Sequence, residues 1–274
     1  MTDPNRRVLP GFGLSLGYTM LYLSLVVAVP MAAGVLKAAQ LSLDQLWAAA
    51  FSERALAAYW LTLWTAFASA VVNVVLGGLV AWVLVRYDFP LKRLFDSLVD
   101  FPFALPTAVA GLVFSALLVE NGWYGRLLVP LGIQGAYSKL GIVIVLVFIG
   151  FPFVVRTLEP VLESLERDVE EAAACLGANR LQTAMKVILP SIMPAVITGF
   201  ALAFARSLGE YGSVVFISGN MPFRTEIAPV LVVARLEELA YGEAAAIAVV
   251  LLTMSFLTLF SINLVERWSA RHHG

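Results

Sequence analysis

Residues 55–85 read ALAAYWLTLWTAFASAVVNVVLGGLVAWVLV, an uncharged stretch that lies between Arg54 and Arg86. A helix needs about 20 apolar residues to cross the roughly 30 Å hydrocarbon core of a bilayer, and this stretch exceeds that length. Backbone groups in hydrocarbon must be hydrogen-bonded within the segment, so the stretch is predicted to be a transmembrane helix. Five further uncharged stretches predict five more spans: residues 14–36, 101–119, 140–155, 187–205 and 244–265.

The composition of the whole chain indicates a polytopic membrane protein. Of its 274 residues 60% are hydrophobic and 14% are charged, and the mean hydropathy is +0.87. A soluble domain is about 45–50% apolar and about 25% charged, so this balance argues against a soluble enzyme or a disordered linker. The formal net charge of −1 argues against a nucleic-acid partner, and the single cysteine excludes a disulfide framework. We therefore expect an all-α membrane protein with six transmembrane helices, in contact with membrane lipid and not with nucleic acid.

The distribution of basic residues predicts which side of the membrane each loop faces. If the N-terminus lies inside and six spans follow, eleven of the 18 Lys and Arg residues fall on the inner side and seven on the outer side. Loops rich in Lys and Arg stay in the cytoplasm. The expected organisation is therefore a cytoplasmic segment over residues 1–13, a transmembrane domain over residues 14–265 and a cytoplasmic tail over residues 266–274.

One segment, residues 211–234, fits two interpretations. Residues 211–223 are uncharged but short, and Ser218-Gly219-Asn220 and then Pro222 interrupt them. The segment is either a re-entrant or interfacial element or, with residues 227–234, half of a seventh span. Its short length and its helix breakers favour the re-entrant element, and a seventh span would place the basic tail outside.

The most charged part of the chain is the loop over residues 159–190, between the fourth and fifth spans. Asp168, followed three residues later by Glu171, predicts a capping box at the start of a short helix. Gly177 predicts the end of that helix in a left-handed cap, and a second short helix over residues 179–187 is expected to return the chain to the membrane. The resulting hairpin either presents a narrow, Ala-containing knob to a cleft on another protein or lies as an amphipathic helix on the membrane surface.

The residues of this loop resemble the EAA loop of ABC importer permeases, with Val187 at a position where Ile is usual. The residues with the spacing of that motif are Glu171-Ala172-Ala173, then Gly177, then Val187-Ile188-Leu189-Pro190. Residues 8–19 and 207–229 are similar to the family of T subunits of sulfate/thiosulfate importers. The resemblance covers nearly the whole chain, and molybdate permeases share the core and the EAA loop.

The resemblance implies a MetI-like, six-helix permease core in the bacterial inner membrane. It implies as partners a second homologous permease subunit, two copies of a cytoplasmic ABC ATPase and a periplasmic sulfate/thiosulfate-binding protein. The implied function is ATP-driven import of sulfate or thiosulfate, with ATPase closure coupled to pore opening through the EAA loop. The chain has no G-x-x-x-x-G-K-S/T sequence, so we expect a non-catalytic subunit without a cofactor, and ATP and Mg²⁺ bound by the partner ATPase.

Two roles are open for the acid of the motif. Glu171 is expected either to make a polar or charged contact with the ATPase or to cap its own helix, and both roles are compatible. Ala172 and Ala173 permit close approach of the partner. The coupling residues carried over from the motif are Glu171, Ala172, Ala173, Gly177, Val187, Leu189 and Pro190.

Ionisable residues near the outer end of the fifth span form a second candidate site. Arg206 and Glu210 are four residues apart and therefore share one helix face. Charges at membrane depth are costly and face a partner or a water-filled path. The pair either holds helices together or lines a translocation path with Ser207, Gly209 and Gly212, in which Glu210 neutralises Arg206 until the path opens.

Other classes of function remain as alternatives at this point. A permease for molybdate or another oxyanion would share the same core. An ion-gradient-driven secondary transporter would need acidic or His relays buried in several spans, whereas the Asp and Glu residues here lie mainly in loops. Neither catalytic residues nor a metal site is expected, since His272-His273 has no companion ligand. The mid-span residues Asn73 and Asn263 are expected to form interhelical hydrogen bonds.

Overall fold

A computed structural model describes residues 12–273 of the chain, with side chains described for residues 12–266 apart from Arg167. Residues 1–11 of the predicted N-terminal segment and the side chains of the predicted tail beyond Glu266, His272-His273 included, lie outside this description. Every regular element in the described range is helical. The helices are α1 (Phe12–Leu23), α2 (Val29–Ala38), α3 (Leu43–Ala50), α4 (Glu53–Arg86), α5 (Lys92–Val99), α6 (Phe101–Ala104), α7 (Thr107–Leu118), α8 (Gly125–Leu128), α9 (Lys139–Ser164), α10 (Arg167–Cys175), α11 (Arg180–Thr183), α12 (Leu189–Leu208), α13 (Val214–Ile217), α14 (Ala228–Glu237) and α15 (Tyr241–His273).

Five helical segments in the described range are long and apolar enough to cross a bilayer, and they contain most of the predicted spans one, two, four, five and six. Two of them are continuous across a π turn, Ser24–Ala28 between α1 and α2 and Ala184–Ile188 between α11 and α12. The predicted all-α membrane fold is therefore confirmed. The five segments are Phe12–Ala38, Glu53–Arg86, Lys139–Ser164, Arg180–Leu208 and Tyr241–Glu266.

The third predicted span, residues 101–119, is not one continuous helix. It consists of the single turn α6 and the 12-residue helix α7, which are separated at Leu105 and Pro106. Leu105 is extended, with φ −88° and ψ 126°, because the ring of a following proline disfavours helical backbone at the residue before it. At 1.5 Å per residue α7 is about 18 Å long, which is shorter than the hydrocarbon core.

The core of the fold is formed by α4, α9 and α12, which lie side by side. Buried apolar residues from all three helices fill it, among them Leu84, Leu158 and Phe204. Small residues let the helix backbones approach closely in membrane proteins. Gly77 of α4 faces Val154 of α9, and a methyl group added at Gly77 would lie 3.1 Å from the valine Cβ. This close packing brings the ends of the three helices together and positions both candidate sites.

The first membrane-length segment lies at the periphery of this core. No residue of α1 is buried, and Leu14 and Tyr18 are 83% and 72% exposed. The end of α2 contacts α15, where Ala38 packs with Ala50 and Ala246. A helix that is apolar all round is stable only in apolar surroundings, so α1 requires lipid or another membrane chain against it.

The segment 211–234 contains two short helices, α13 and α14, joined by a loop. Gly219, Asn220 and Phe223 in this loop have φ values of +72°, +50° and +63°, which turn the chain sharply between the helices. Thr62 of α4 accepts a hydrogen bond from the Ala228 N–H at the start of α14 (2.8 Å). The re-entrant placement in the membrane stays a prediction.

Candidate coupling hairpin and translocation path

The first arm of the hairpin is α10, and it ends at the residue that the sequence indicates. Gly177 has a φ of +85°, a left-handed conformation that glycine adopts without a Cβ penalty. The Gly177 N–H donates to the Ala174 carbonyl (2.9 Å) and the Ala178 N–H to the Ala173 carbonyl (3.0 Å). These two bonds form a Schellman motif, which satisfies the last carbonyl groups of the helix.

The start of α10 differs from the prediction. The residue that precedes the helix is Glu166, which is extended (φ −61°, ψ 137°) and makes no side-chain capping bond. Asp168 already lies in the first helical turn, so the predicted capping box between Asp168 and Glu171 is wrong. An acid in the first turn still interacts favourably with the helix dipole. This interaction explains why acidic residues begin α10 although no capping box is formed.

The second arm of the hairpin is longer than predicted. It begins with a capping box, in which Asn179 and Gln182 exchange two 2.9 Å bonds between side chain and backbone. The helix then continues through the π turn Ala184–Ile188 into α12, rather than ending at residue 187. Pro190 has no N–H to donate, and the Leu189 N–H bonds back to the Ala184 carbonyl, five residues earlier. A π turn of this kind absorbs a proline within a continuous helix.

The motif residues divide between the two sides of the hairpin. Glu171, Ala172 and Gly177 are exposed, and Ala173 is half-buried. The residues of the second arm, Val187, Leu189 and Pro190, are partly buried, and Ile188 between them belongs to the main core. The hairpin therefore presents a small acidic and Ala-containing surface outward while its second arm is anchored in the helix core.

A contact that sequence reasoning missed links the hairpin to the core. Arg86, the last residue of α4, places its Nη2 2.7 Å from Oε1 of Glu170, the residue before Glu171. The same nitrogen donates to the Leu165 carbonyl (3.1 Å). The two neighbouring acids of α10 thus point to different sides, with Glu170 toward the core and Glu171 toward solvent. The available signal was a basic residue at the end of a span together with two adjacent acids in the loop.

A second unpredicted cluster lies at the same end of the molecule. Arg156 of α9 donates to Asp100 (2.6 and 2.9 Å), to Asp96 (2.6 Å) and to Glu159 (2.7 Å). Asp96 and Asp100 flank the end of α5, so the arginine ties this short helix to the core. The Arg156 guanidinium beside Asp100 lowers the pKa of that carboxyl below its ordinary value.

At the other end of α12 the predicted pair of Arg206 and Glu210 is formed. Arg206 Nη1 donates to Glu210 Oε2 (2.6 Å), and the Arg206 side chain is 33% exposed while that of Glu210 is 3% exposed. Glu210 Oε1 also accepts bonds from the N–H and the hydroxyl of Ser213 (2.9 Å each). The pair therefore fixes the turn between α12 and α13. The polar contact between long helices at this level is instead the one from Ser207 to Ser69 of α4 (3.2 Å).

The two glycines of the predicted path have different surroundings. Gly209 is exposed, and a methyl group added there would meet nothing within 4 Å. At Gly212 an added methyl group would lie 2.3 Å from the Thr107 hydroxyl, so this glycine lets the turn pack against the start of α7. Of the predicted path residues, Arg206 and Gly209 are thus accessible, whereas Ser207 and Glu210 are enclosed by protein.

Two further polar features complete the description of α4. At its N-terminal end Arg54 makes a bidentate ion pair with the buried Glu226 (2.7 and 2.8 Å). In its middle Asn73 is fully buried, and neither atom of its amide has a hydrogen-bond partner among the described residues. The predicted interhelical hydrogen bond of Asn73 is therefore wrong, and Asn263 is exposed. No group of three His, Cys, Asp or Glu residues suited to a metal ion is found in the part of the chain that is described.

Membrane-length helices around a tight three-helix core, with an EAA-type hairpin beyond that core, define the permease class of ABC importer subunits. Residues 73–271 match the family model described as "Binding-protein-dependent transport system inner membrane component". The chain belongs to this family, and it is therefore a multi-pass transport permease of the inner membrane. Membership of this family supports the ABC permease over an ion-gradient-driven secondary transporter.

Known relatives match almost the whole chain. The sulfate transport system permease protein CysT of Salmonella typhimurium (strain LT2) is 48% identical over 262 residues, which cover 96% of this chain and 95% of that protein. The protein of the same name from Synechocystis sp. (strain PCC 6803) is 50% identical over 254 residues, which cover 93% of this chain and 89% of that protein.

A solved structure shows the same architecture. The bacterial alginate ABC transporter in complex with an alginate pentasaccharide-bound periplasmic protein contains a chain that superposes with a TM-score of 0.75. The two chains are 17% identical, and the match covers 93% of each. At this identity the likeness concerns the fold alone, and it confirms the predicted ABC importer permease fold.

Proposed function

We propose that this chain is the transmembrane permease subunit of an ATP-driven, binding-protein-dependent importer of sulfate and thiosulfate. The observation that carries its role is the exposed hairpin of α10 and α11, whose second arm runs directly into the core helix α12. The cargo rests on the 48% identity, over 96% of this chain, to a sulfate transport system permease. Sulfate and thiosulfate are small dianions, so one path suits both.

The proposal includes the partners of the subunit and its orientation. A second, homologous permease completes the pore and contacts the exposed apolar segment Phe12–Ala38, and lipid surrounds the pair. Two copies of a cytoplasmic ABC ATPase bind ATP and Mg²⁺, and a periplasmic binding protein delivers the anion. Both termini lie in the cytoplasm, on the same side as the hairpin, in agreement with the excess of basic residues there.

The hairpin residues have a direct mechanical role in this proposal. Glu171 makes a polar contact with the ATPase, and Ala172 and Ala173 allow α10 to enter a cleft between ATPase domains. Gly177 provides the turn that Val187, Leu189 and Pro190 continue into α12. Because α12 is part of the close-packed core, movement of the hairpin on ATP binding is carried to α4 and α9.

At the outer end of α12 the proposed path uses the pair of Arg206 and Glu210. The Arg206 guanidinium is partly exposed, and Arg206 lies three residues before the accessible Gly209 on the same helix end. In the closed state Glu210 neutralises it. When the path opens, a dianion replaces the carboxylate as the partner of Arg206, because guanidinium groups bind oxyanions with two parallel hydrogen bonds.

The proposal is tested by reconstitution. This chain, its partner permease and the ATPase are placed in liposomes with ATP enclosed, and the sulfate-binding protein with ³⁵S-labelled sulfate is added outside. We expect uptake to require ATP, the binding protein and this chain. We also expect unlabelled thiosulfate to reduce the uptake of labelled sulfate. Uptake by this chain alone, or uptake of molybdate with no uptake of sulfate, would refute the proposed function.

A further inference from the structure

The guanidinium of Arg86 contacts three elements at the base of the hairpin. It stands over the Trp82 ring of its own helix, 5.4 Å from the ring centroid. It donates to the Leu165 carbonyl at the end of α9 (3.1 Å) and pairs with Glu170 of α10 (2.7 Å). Nη2 makes both polar contacts while the planar group stacks on the aromatic ring, and Nε has no hydrogen-bond partner among the described residues.

The position of Arg86 coincides with the break between α9 and α10. Leu165 (φ −76°, ψ 112°) and Glu166 (φ −61°, ψ 137°) are both extended, so the two helices are separate bodies joined by a short link. The last carbonyl groups of a helix have no partner within the helix. Arg86 supplies such a partner at the Leu165 carbonyl and also pairs with Glu170 of α10. It therefore connects the end of α9 to α10 across the extended link.

The surroundings of the pair strengthen it. The Arg86 side chain is only 10% exposed and that of Glu170 is 28% exposed. Partial removal of water strengthens an ion pair beyond the low value of an exposed pair. Removal of one partner leaves a poorly hydrated charge behind, which is costly.

We propose that Arg86 is a positioning residue, through which displacement of α10 is transmitted to α4 and α9. The inference rests on the proposed function. Helix α4 runs without interruption from Glu53 to Arg86 and is about 50 Å long, so a push at Arg86 reaches the outer end of the helix. Without this contact α10 turns about the link at Leu165 and Glu166, and only the route through α12 remains to move α4.

The test compares sulfate import with ATP hydrolysis in the reconstituted complex. In Glu170→Gln we expect the number of anions imported per ATP to fall by about fivefold or more, with hydrolysis retained. Arg86→Lys, which keeps the charge but not the fork, should give an intermediate ratio. The matched control is Asp88→Asn, because Asp88 is fully exposed and pairs with Lys92 at 3.3 Å at the same end of α4; its ratio should equal that of the wild type.

Two results overturn the inference. One is an unchanged ratio in Glu170→Gln. The other is a parallel loss of import and hydrolysis in both Glu170→Gln and Arg86→Lys, since that would show that the contact maintains the fold or the docking of the ATPase. A wild-type complex that hydrolyses ATP but imports no sulfate would instead refute the proposed function.

A second measurement needs no cargo, so it tests the contact between Arg86 and Glu170 even if the complex imports no sulfate. Cys175 is the single cysteine of the chain and lies exposed on α10, and Leu79 of α4 is 61% exposed. Spin labels on Ala174→Cys, in a Cys175→Ser background, and on Leu79→Cys report the distance between the two helices; Ala174 is exposed on the side of α10 away from Ala172. On ATP binding we expect this distance to stay constant in the labelled parent and to change when Glu170→Gln is added. An equal change in both would overturn the inference.

Discussion

Replacement of Glu210 by Gln tests whether the turn between α12 and α13 serves transport or only the fold. The carboxylate accepts three bonds, one from Arg206 (2.6 Å) and two from Ser213 (2.9 Å each). The amide oxygen of Gln retains the two bonds from Ser213, and the amide NH₂ faces the guanidinium. One charge-assisted hydrogen bond is therefore lost, at a cost of about 1.5–3 kcal/mol. The low end of this range applies, because the Arg206 side chain is 33% exposed and solvent takes over part of its pairing.

Such a cost leaves a folded, assembled permease whose path carries one more unneutralised positive charge. We expect normal insertion and complex yield, a reduced melting temperature, and sulfate uptake lowered by roughly tenfold, because a dianion held about 1.4 kcal/mol more tightly leaves the path more slowly. Uptake in proteoliposomes and scanning fluorimetry of the purified complex measure the two effects. The matched control is Glu226→Gln, which breaks the bidentate pair with Arg54: it should cost more stability and leave uptake per folded complex unchanged.

Two results would refute this reasoning. If Glu210→Gln protein disappears from the membrane, the pair maintains the fold and the proposed path is wrong at this position. If uptake per folded complex equals that of the wild type while the melting temperature falls, Glu210 stabilises the turn without acting on the anion.

Three further predictions concern the hairpin, the core and the pair of Asp100 and Arg156. Ala172→Trp adds a large side chain at an exposed position, so the fold should be kept while the ATPase no longer docks; ATP-driven uptake at the wild-type level would contradict the docking role. Gly150→Ala places a methyl group 2.5 Å from the Asn73 amide nitrogen and should destabilise the fold by about 1–3 kcal/mol. Adding Asn73→Ala should remove most of this loss, because it removes the clashing amide. If the two substitutions instead lower the melting temperature additively, the steric explanation is contradicted. The lowered pKa of Asp100 means that its pair with Arg156 stabilises the fold above the ordinary pKa of 3.8, and that this stability is lost as the pH falls through the lower folded value. At pH 6 the unfolding free energy of the wild type should exceed that of Asp100→Asn by less than about 1 kcal/mol, because Asp100 is half-exposed. At low pH the two values should be equal. A difference that does not change with pH would contradict this role of the ion pair.

The sequence predicts those features that depend on nearby residues or on the bilayer itself. Membrane-length helices follow from uncharged stretches, because the hydrocarbon thickness alone sets the required length. The pair of Arg206 and Glu210 follows from a spacing of four residues on one helix. The end of α10 at Gly177 follows from backbone freedom at a single residue.

Other features were missed because they depend on how distant helices pack. Arg86 and Glu170, like Arg54 and Glu226, are far apart in sequence, and no local spacing indicates that α4 brings them to its two ends. The break at Pro106 is local by contrast, because a residue before proline avoids helical backbone, and proline at this position predicts the start of a new helix.

The polar contacts along α4 constrain how the importer cycle can proceed. Ion pairs hold the helix at both ends, Arg54 with Glu226 and Arg86 with Glu170, whereas its middle contacts α12 through neutral hydroxyl groups at Ser69. Neutral bonds of this kind are weaker than charge-assisted bonds. The polar contact in the middle of α4 is therefore weaker than those at its ends, and there α4 is joined to α12 mainly by apolar core packing. In the proposed mechanism we therefore expect the ion pair at Arg86 to hold α10 to α4, while the packed core moves α4 and α12 together.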